Sequence, residues 1–498
     1  MAGYRRYCQG VLLLMVLCCG CRTSSYSRSQ AIVTPPKPST QAGFSEVVAS
    51  RAGSEQGSSA EDEIQQVAAA LPIPDAPEEH QRASLSLHGT VSLALAQNPD
   101  LVALRPTEQV GMAVYGVART YPFNPFVQIQ ATPYQDLPGE GPGTTAHYVL
   151  LMQRIQLAHQ QQFREDAGAA ALNGIRWNIH QAELQALSLT AQMYFALLYQ
   201  RGLLEVAQAS HENNEQLLDV LTKRYEAGDA AASDVATVRE DTRATLQQLR
   251  LAEANSESAR RDLLRQLGMP PASPFDFAGD LTTVRWHIPR GNSQGSSPHE
   301  LAMEYKESTH QDMAWIASWA ASRPDVLAAQ ANIDQARANL RLATANRTPD
   351  LIIGPYYQRN PDGMTHWGLR AEMDLLIIDS RKPMEAQRAA EFGQQNVLWR
   401  QLLLRAELEA QTAFERYEVA YRALLSAGSD NLAGLSRELE TLERLFREGE
   451  VDVVQVLQAR TSILQNQRAR LDLLNELAQS AALLIGATGI PLELLISE

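Results

Sequence analysis

The sequence predicts a mainly α-helical fold with a small β part, in which one helix–β-hairpin–long helix–helix unit is written twice. Three observations predict it: long stretches without proline, apolar residues at alternating steps of three and four, and landmarks that recur in order at a nearly constant offset. Of the 24 prolines, none falls between Pro142 and Pro270 and none between Pro383 and Pro491. Proline costs about 3 kcal/mol inside a helix, so such gaps are expected where helices run long. Within and beside these gaps the apolar spacing is that of helices packed along a seam. Val326, Ala329, Ile333, Ala336, Leu340 and Ala343 follow it, as do Leu184, Leu187, Ala191, Tyr194 and Leu198, and Leu471, Leu474, Ala478, Ala481 and Ile485. Many of these positions are Ala, which lets helices approach closely.

The repeat is read from four landmarks. Asn98-Pro99-Asp100 recurs as Arg323-Pro324-Asp325 at an offset of 225. Pro125, before Phe126-Val-Gln-Ile129, aligns with Pro349, before Asp350-Leu-Ile-Ile353, at 224. Arg224-Tyr-Glu-Ala-Gly228 aligns with Leu445-Phe-Arg-Glu-Gly449, and Leu267-Gly-Met-Pro270 with Thr488-Gly-Ile-Pro491, both at 221. Each motif alone is weak; the ordered set indicates duplication.

The elements follow from the N-terminus. Arg5 and Arg6 precede the short apolar run Val11–Leu17, and Cys18, Cys19, Gly20 and Cys21 come next. This is the pattern of an export signal, with an apolar stretch too short to span a bilayer. A small residue before a cysteine resembles a lipoprotein cleavage box, which makes Cys21 the expected lipidated residue, with Cys19 second. Residues 1–20 are then the signal peptide and 21–83 a lipid-anchored, largely irregular tether rich in Ser, Ala, Gln, Glu and Pro. The first repeat covers 84–270, a poorly periodic linker 271–320, and the second repeat 321–498.

In each repeat a helix starts after the Pro-Asp pair, where an acidic residue suits the helix N-terminus. It ends before Pro122 or Pro349, and Pro106 should kink or shorten the first copy. Two strands follow around the Gly/Pro loops Leu137–Gly143 and Asn360–Gly363. A long helix, expected from about Arg154 to Ala227 in the first copy and to about Glu448 in the second, leads to a glycine turn and a shorter returning helix. At about 1.5 Å per residue the first long helix spans on the order of 110 Å, longer than a globular core needs.

The strands carry one apolar and one polar face. Trp367, Leu369, Ala371 and Met373 alternate with Gly368, Arg370, Glu372 and Asp374; Val127, Ile129 and Ala131 alternate with Gln128 and Gln130. A soluble sheet with a core face alternates in the same way. Two hairpins alone, however, cannot cover such a face, and about ten residues per strand suits a membrane barrel with lipid outside and water inside. Tyr134, Tyr148, Tyr356, Tyr357 and Trp367 are candidate interfacial anchors. Four strands fall short of the roughly eight of the smallest membrane barrels, so the barrel must be shared between chains. Three chains would give twelve strands.

The composition excludes other classes. A net charge of −14 with a pI near 5.3 leaves no basic face for a nucleic-acid partner. All four cysteines precede residue 22, so the body has no disulfide framework and no cysteine metal site. The ten histidines show no ligand spacing, and no phosphate-binding loop, HExxH or nucleophile elbow is present. No metal, cofactor or catalytic residue is expected, and the chain is not read as an enzyme.

Several motifs resemble the TolC-like outer-membrane efflux proteins, including the lipoprotein members of tripartite export systems. They are Arg323-Pro-Asp-Val326 with its Ala-rich helix, Thr348-Pro-Asp-Leu-Ile-Ile353, Asp374-Leu-Leu-Ile-Ile-Asp379, Arg224–Gly228 with Ser233-Asp-Val235, and Gly449 with Val454-Gln-Val-Leu457. Gly268 and Gly489 close the two copies, and the resemblance covers about residues 84–492. It implies a homotrimer, with a twelve-stranded barrel in the bacterial outer membrane and an α-helical tunnel through the periplasm. The partners it implies are outer-membrane lipid, a periplasmic adaptor and an inner-membrane pump that supplies the energy, so the chain itself would be a passive exit duct.

The resemblance also places the periplasmic tip at the turns of Gly228 and Gly449, where the adaptor would dock. Asp229 and Glu450 follow these glycines, where the family often has small or apolar residues. A glycine here also serves as a plain helix C-cap. Near the tip the family often narrows its tunnel with acidic residues six and nine positions beyond the second glycine; here those positions are Gln455 and Gln458. That acidic gate is therefore not carried over, and Asp234 and Asp452 are the nearest acids to a candidate constriction. The main alternative is a periplasmic coiled-coil adaptor or structural lipoprotein without a pore. A secreted hydrolase on a helical stalk is a third reading, without a nucleophile–base pair to support it.

Overall fold

The computed structural model describes residues 84–135, 144–289, 308–375, 377–427, 441, 444 and 453–497. After a short strand β1 (Ser84–Leu85), the first repeat opens with α1 (Leu87–Gln97), α2 (Pro99–Leu104) and α3 (Pro106–Arg119). Pro99 and Pro106 each occupy the first turn of a new helix, where the missing N–H costs nothing. The expected break at Pro106 is therefore a helix boundary at Arg105. The hairpin is β2 (Phe126–Gln135) and β3 (Thr144–Ile155), followed by the long helix α4 (Gln160–Ala227) and the returning helix α5 (Ala232–Gln266).

The second repeat has α7 (Pro324–Ala345), β6 (Leu351–Arg359), β7 (Thr365–Met373), α8 (Lys382–Ala427) and α9 (Val453–Thr488). Between the repeats lie β4 (Asp276–Phe277), β5 (Arg285–Trp286) and α6 (Ser308–Ala321), and the described chain ends in β8 (Ile496–Ser497). The loop expected at Leu137–Gly143, the one at Gly291–Pro298, and the helical stretch approaching Glu448 lie outside the described residues.

One expectation is corrected. The long helix begins at Gln160, not near Arg154, because β3 runs on to Ile155 and stays paired with β6 through Ile155↔Leu351. The turn between them passes through His159, which has φ 60°. The helix still has 68 residues, about 100 Å at 1.5 Å per residue.

The four long strands form one antiparallel sheet in the order β2-β3-β6-β7, so the two hairpins join through β3 and β6. Cross-strand partners share a face. Val127 pairs with Leu151, Ile129 with Val149, Val149 with Tyr357, and Tyr357 with Trp367. This face is apolar and exposed: Ile129 is 71% and Trp367 78% accessible. It is the face that the alternation predicted. On the other face the backbone is tight at Gly354, where a Cβ would fall 1.7 Å from the Leu151 carbonyl oxygen.

Each strand continues into one helix: α3 leads into β2, β3 into α4, α7 into β6, and β7 into α8. The helices pack in the same lateral order, α3-α4-α7-α8. Farther along α4 the row becomes α5-α4-α9-α8. This placement explains why the buried face of α7 is wider than one seam. Val326, Ile333 and Ala343 of the predicted seam are buried, and so are Ala328, Ala331 and Ala338, because α7 lies between α4 and α8.

The main core sits where the repeats meet the inter-repeat segment. Ala191, Tyr194, Phe195 and Leu198 of α4, Phe414 and Tyr417 of α8, and Leu474, Leu477, Ala481 and Ile485 of α9 cluster there. Phe277, Leu281, Trp286, Ile316 and Ala320 complete it. The weakly periodic segment between the repeats is thus a core component, held by isolated large side chains and not by a periodic face. Burial of each such side chain stabilises by roughly 1.5–3 kcal/mol.

Candidate functional site

The far end of α4 is built by its sequence to stop. Gly228 has φ 89°, a conformation open to glycine and costly for other residues. Its N–H donates to the Tyr225 carbonyl at 3.0 Å, and the Asp229 N–H donates to the Arg224 carbonyl at 2.8 Å. This paired closure satisfies carbonyls that the helix end would otherwise leave open. No atom lies within 4 Å of where a Cβ would stand, so the backbone angle, not crowding, demands glycine.

Four residues later the chain enters α5, which runs back along α4. Leu217 and Leu221 of α4, Val235 and Val238 of α5, and Val456 of α9 form a small apolar cluster under the turn. Val235 and Val456 are equivalent in the two repeats. The tip is therefore a clasp between repeats as well as a turn within one. Farther from the tip the α4–α5 contact becomes polar. Asn214 Nδ2 donates to Asp241 Oδ2 at 2.6 Å, and His211 Nδ1 lies 3.3 Å from Thr245 Oγ1.

Of the residues singled out in the sequence, Gly228 and Asp229 are exposed at the turn, and Asp234 is half-buried in the first turn of α5. The Ser233 hydroxyl donates to Asp234 Oδ1 at 3.1 Å. Gln455 and Gln458 are exposed on the first turns of α9. Asp234 and Gln455 each precede a valine of the apolar cluster, so the structure brings these two positions to one end of the bundle. Gly449, Glu450, Asp452, Cys19 and Cys21 lie outside the described residues. Among the described residues no group of three or more His, Cys, Asp or Glu side chains is placed to hold a metal, and no helix is long and apolar enough to cross a membrane.

Two tyrosines at equivalent places in the two repeats hold the centre of the chain. The Tyr194 hydroxyl donates to the Ala278 carbonyl, and the Tyr417 hydroxyl to the His287 carbonyl, the latter at 2.7 Å. Each long helix thus grips the inter-repeat segment with a tyrosine. Burial pushes the Tyr417 hydroxyl far above the usual tyrosine range. Arg323, which precedes α7, forms ion pairs with Asp325 and Glu409. Hydrogen bonds that Arg323 donates to Asp325 and then to Glu409 raise its pKa against the effect of its burial.

With this geometry in place, the relatives are informative. The family model described as "Outer membrane efflux protein" matches residues 90–269. The chain is thus similar to that family over 180 of its 498 residues. The matched stretch is the first repeat, from α1 through the tip to the turn at Gly268. A pyoverdine export outer membrane protein, OpmQ, of Pseudomonas putida is 25% identical over 333 residues, covering 64% of this chain and 65% of that protein. OpmQ of Pseudomonas aeruginosa is 26% identical over 214 residues, covering 42% of this chain and 44% of the relative. The match therefore spans less than two thirds of the length of either relative.

Solved structures share the fold of this chain. The outer-membrane channel OprN superposes with a TM-score of 0.60 at 17% identity, over 82% of this chain and 90% of that one. CusC gives 0.62 at 16% identity, over 84% and 97%. The CmeC outer membrane channel of Campylobacter jejuni gives 0.59 at 16% identity, over 84% and 93%.

Proposed function

We propose that three copies of this chain close into one passive conduit, with a shared twelve-stranded barrel in the bacterial outer membrane and a helical tunnel in the periplasm. The observation that carries this is the coincidence of two open edges. The sheet ends in β2 and β7, and the helical row ends in α3 or α5 on one side and α8 on the other. Strand edge and helix edge fall on the same sides. An unpaired strand edge is a template for another strand. Two different edges that meet head to tail generate a closed ring when the rotation fits.

Exposed apolar side chains follow those edges. On α3 they are Val110, Met112, Val114 and Val117; on α8 they include Val397, Leu404, Leu408 and Val419. Among the described residues, α7, which lies inside the row, exposes no large hydrophobic side chain. The exposed apolar face of the sheet suits lipid.

In this reading the chain is the exit duct of a tripartite export system. A periplasmic adaptor docks at the turns of Gly228-Asp229 and Gly449-Glu450, and an inner-membrane pump supplies the energy. Cys21 carries the lipid anchor, with Cys19 as the second choice. Asp234 and Asp452, with Gln455 and Gln458, surround the narrow end of the tunnel, where a threefold acidic ring favours cations.

Purified protein in planar bilayers tests the duct. It should conduct ions without any nucleotide. Asp234→Ala and Asp452→Ala should reduce cation selectivity and cation block. A protein that inserts without ever conducting contradicts the duct. Unchanged selectivity in both variants removes the acidic ring and leaves the duct standing.

A further inference from the structure

The strands give way to the long helices around a cavity of about 610 Å³. Its wall includes Gln156 just after β3, Arg164 on α4, Asn346 at the end of α7, Asp350 before β6, and Asp379 and Arg381 before α8. That volume is in the range of small-molecule sites, roughly 300–1,000 Å³.

The charges in this wall are unevenly matched. Arg164 donates through Nη2 to the side-chain oxygens of Gln156 and Gln161, both neutral. Arg381 donates through Nη1 to the Asn346 carbonyl, also neutral. Among the described residues neither guanidinium forms an ion pair with a carboxylate. The two acids are already engaged. Asp379 Oδ1 accepts from the Arg381 backbone N–H at 2.9 Å, and Asp350 lies 3.9 Å from Arg154. Arg164 Nε is a buried donor with no hydrogen-bond partner. Both long helices also begin beside the cavity, and a helix N-terminus favours negative charge.

The backbone adds an independent sign. Among the described residues only His159 and Arg381 are non-glycine residues with positive φ, at 60° and 54°. They stand at equivalent places, each immediately before a long helix. Arg381 thus holds a costly conformation while carrying its guanidinium in the cavity wall. Such strain persists where the surroundings over-determine it, and it clusters at ligand sites.

The geometry points to an anion site in this cavity, one per chain, that takes a phosphate group through Arg164 and Arg381. A free phosphate and the phosphate of an anionic lipid headgroup share this chemistry. The site is a property of one chain and is read without any transport assay.

The test uses the full chain purified in non-ionic detergent. Uptake of labelled inorganic phosphate is followed by equilibrium dialysis, and uptake of phosphatidylglycerol by native mass spectrometry, with phosphatidylcholine as the uncharged control. The expected result is saturable uptake of at least one anionic probe, weakened tenfold or more in the Arg164→Gln/Arg381→Gln double variant. Phosphate uptake assigns the site to small anions; phosphatidylglycerol uptake without phosphate uptake assigns it to a headgroup. Arg381→Gly removes the guanidinium while suiting the positive φ, so its loss of binding cannot be laid to backbone strain. The site is overturned if neither probe binds saturably, if the double variant and Arg381→Gly bind as the parent does, or if phosphatidylcholine binds as well as phosphatidylglycerol.

Discussion

Asn98 and Arg323 do the same work in the two repeats with different chemistry. Asn98 Nδ2 donates to the Gln266 carbonyl at 2.9 Å, and Arg323 Nη1 donates to the Ala487 carbonyl at 3.3 Å. The acceptors are equivalent, each in the last turn of a returning helix. Each donor stands just before a Pro-Asp pair that opens a helix. The duplicated landmark thus ties the start of its repeat to the end.

Removing these ties should destabilise unequally. Asn98 also accepts from the Asp100 and Leu101 N–H groups, as a helix N-cap does. Asn98→Ala should cost about 1–2 kcal/mol. Arg323→Ala also removes the ion pairs to Asp325 and to Glu409, which keeps only Arg405, and should cost about 2–4 kcal/mol. Thermal unfolding of both variants checks the order; a smaller loss for Arg323→Ala contradicts it.

At the tip, Gly228→Ala should cost about 1 kcal/mol, because Ala does not suit φ 89°. Gly228→Asn should cost less, since Asn tolerates the left-handed region. Hydrogen exchange should localise the loss to the end of α4 and the start of α5. Equal protection in the parent and Gly228→Ala would mean that the turn does not depend on the glycine.

The tyrosine grips make a further prediction. Tyr417→Phe leaves the His287 carbonyl without this donor and should cost about 1–3 kcal/mol. The loosened part should be the inter-repeat segment. Limited proteolysis should therefore cut near residues 276–289 faster in Tyr417→Phe than in the parent, and an unchanged cutting pattern would deny the grip.

Acid should loosen the same central region. Glu183 and Glu409 are both held below the usual glutamate value. Burial alone would raise each, and it is outweighed by hydrogen bonds from His180 and Arg105 to Glu183, and from Arg323 and Arg405 to Glu409. A lowered carboxyl contributes stability above its unfolded pKa and loses it as pH falls through the folded value. Stability should therefore be level in this respect at neutral pH and decline below about pH 4–5. Glu409→Gln should flatten that decline in acid denaturation; an unchanged acid limb would remove Glu409 from the account.

Much of this was legible in the sequence because it is periodic or duplicated. Proline-free stretches located α4 and α9, and strict alternation identified the exposed face of β7. The turn at Gly228 could be read because one residue type suits one backbone angle. The grips of Tyr194 and Tyr417 could not be read, since a tyrosine on a buried seam looks the same whether or not its hydroxyl meets a distant carbonyl. The start of α4 was misplaced because Arg154 and Ile155 fit a helix locally, and only the β6 partner keeps them in a strand. The cavity at Arg164 and Arg381 joins residues more than 200 positions apart, beyond any local pattern.

In the proposed conduit the open edges at β2 with α3 and β7 with α8 close through neighbouring copies. Native mass spectrometry of the full-length protein extracted from outer membranes measures this directly. A complex of three chains, which supplies twelve strands, is expected. A species of one chain under the same gentle extraction would contradict it.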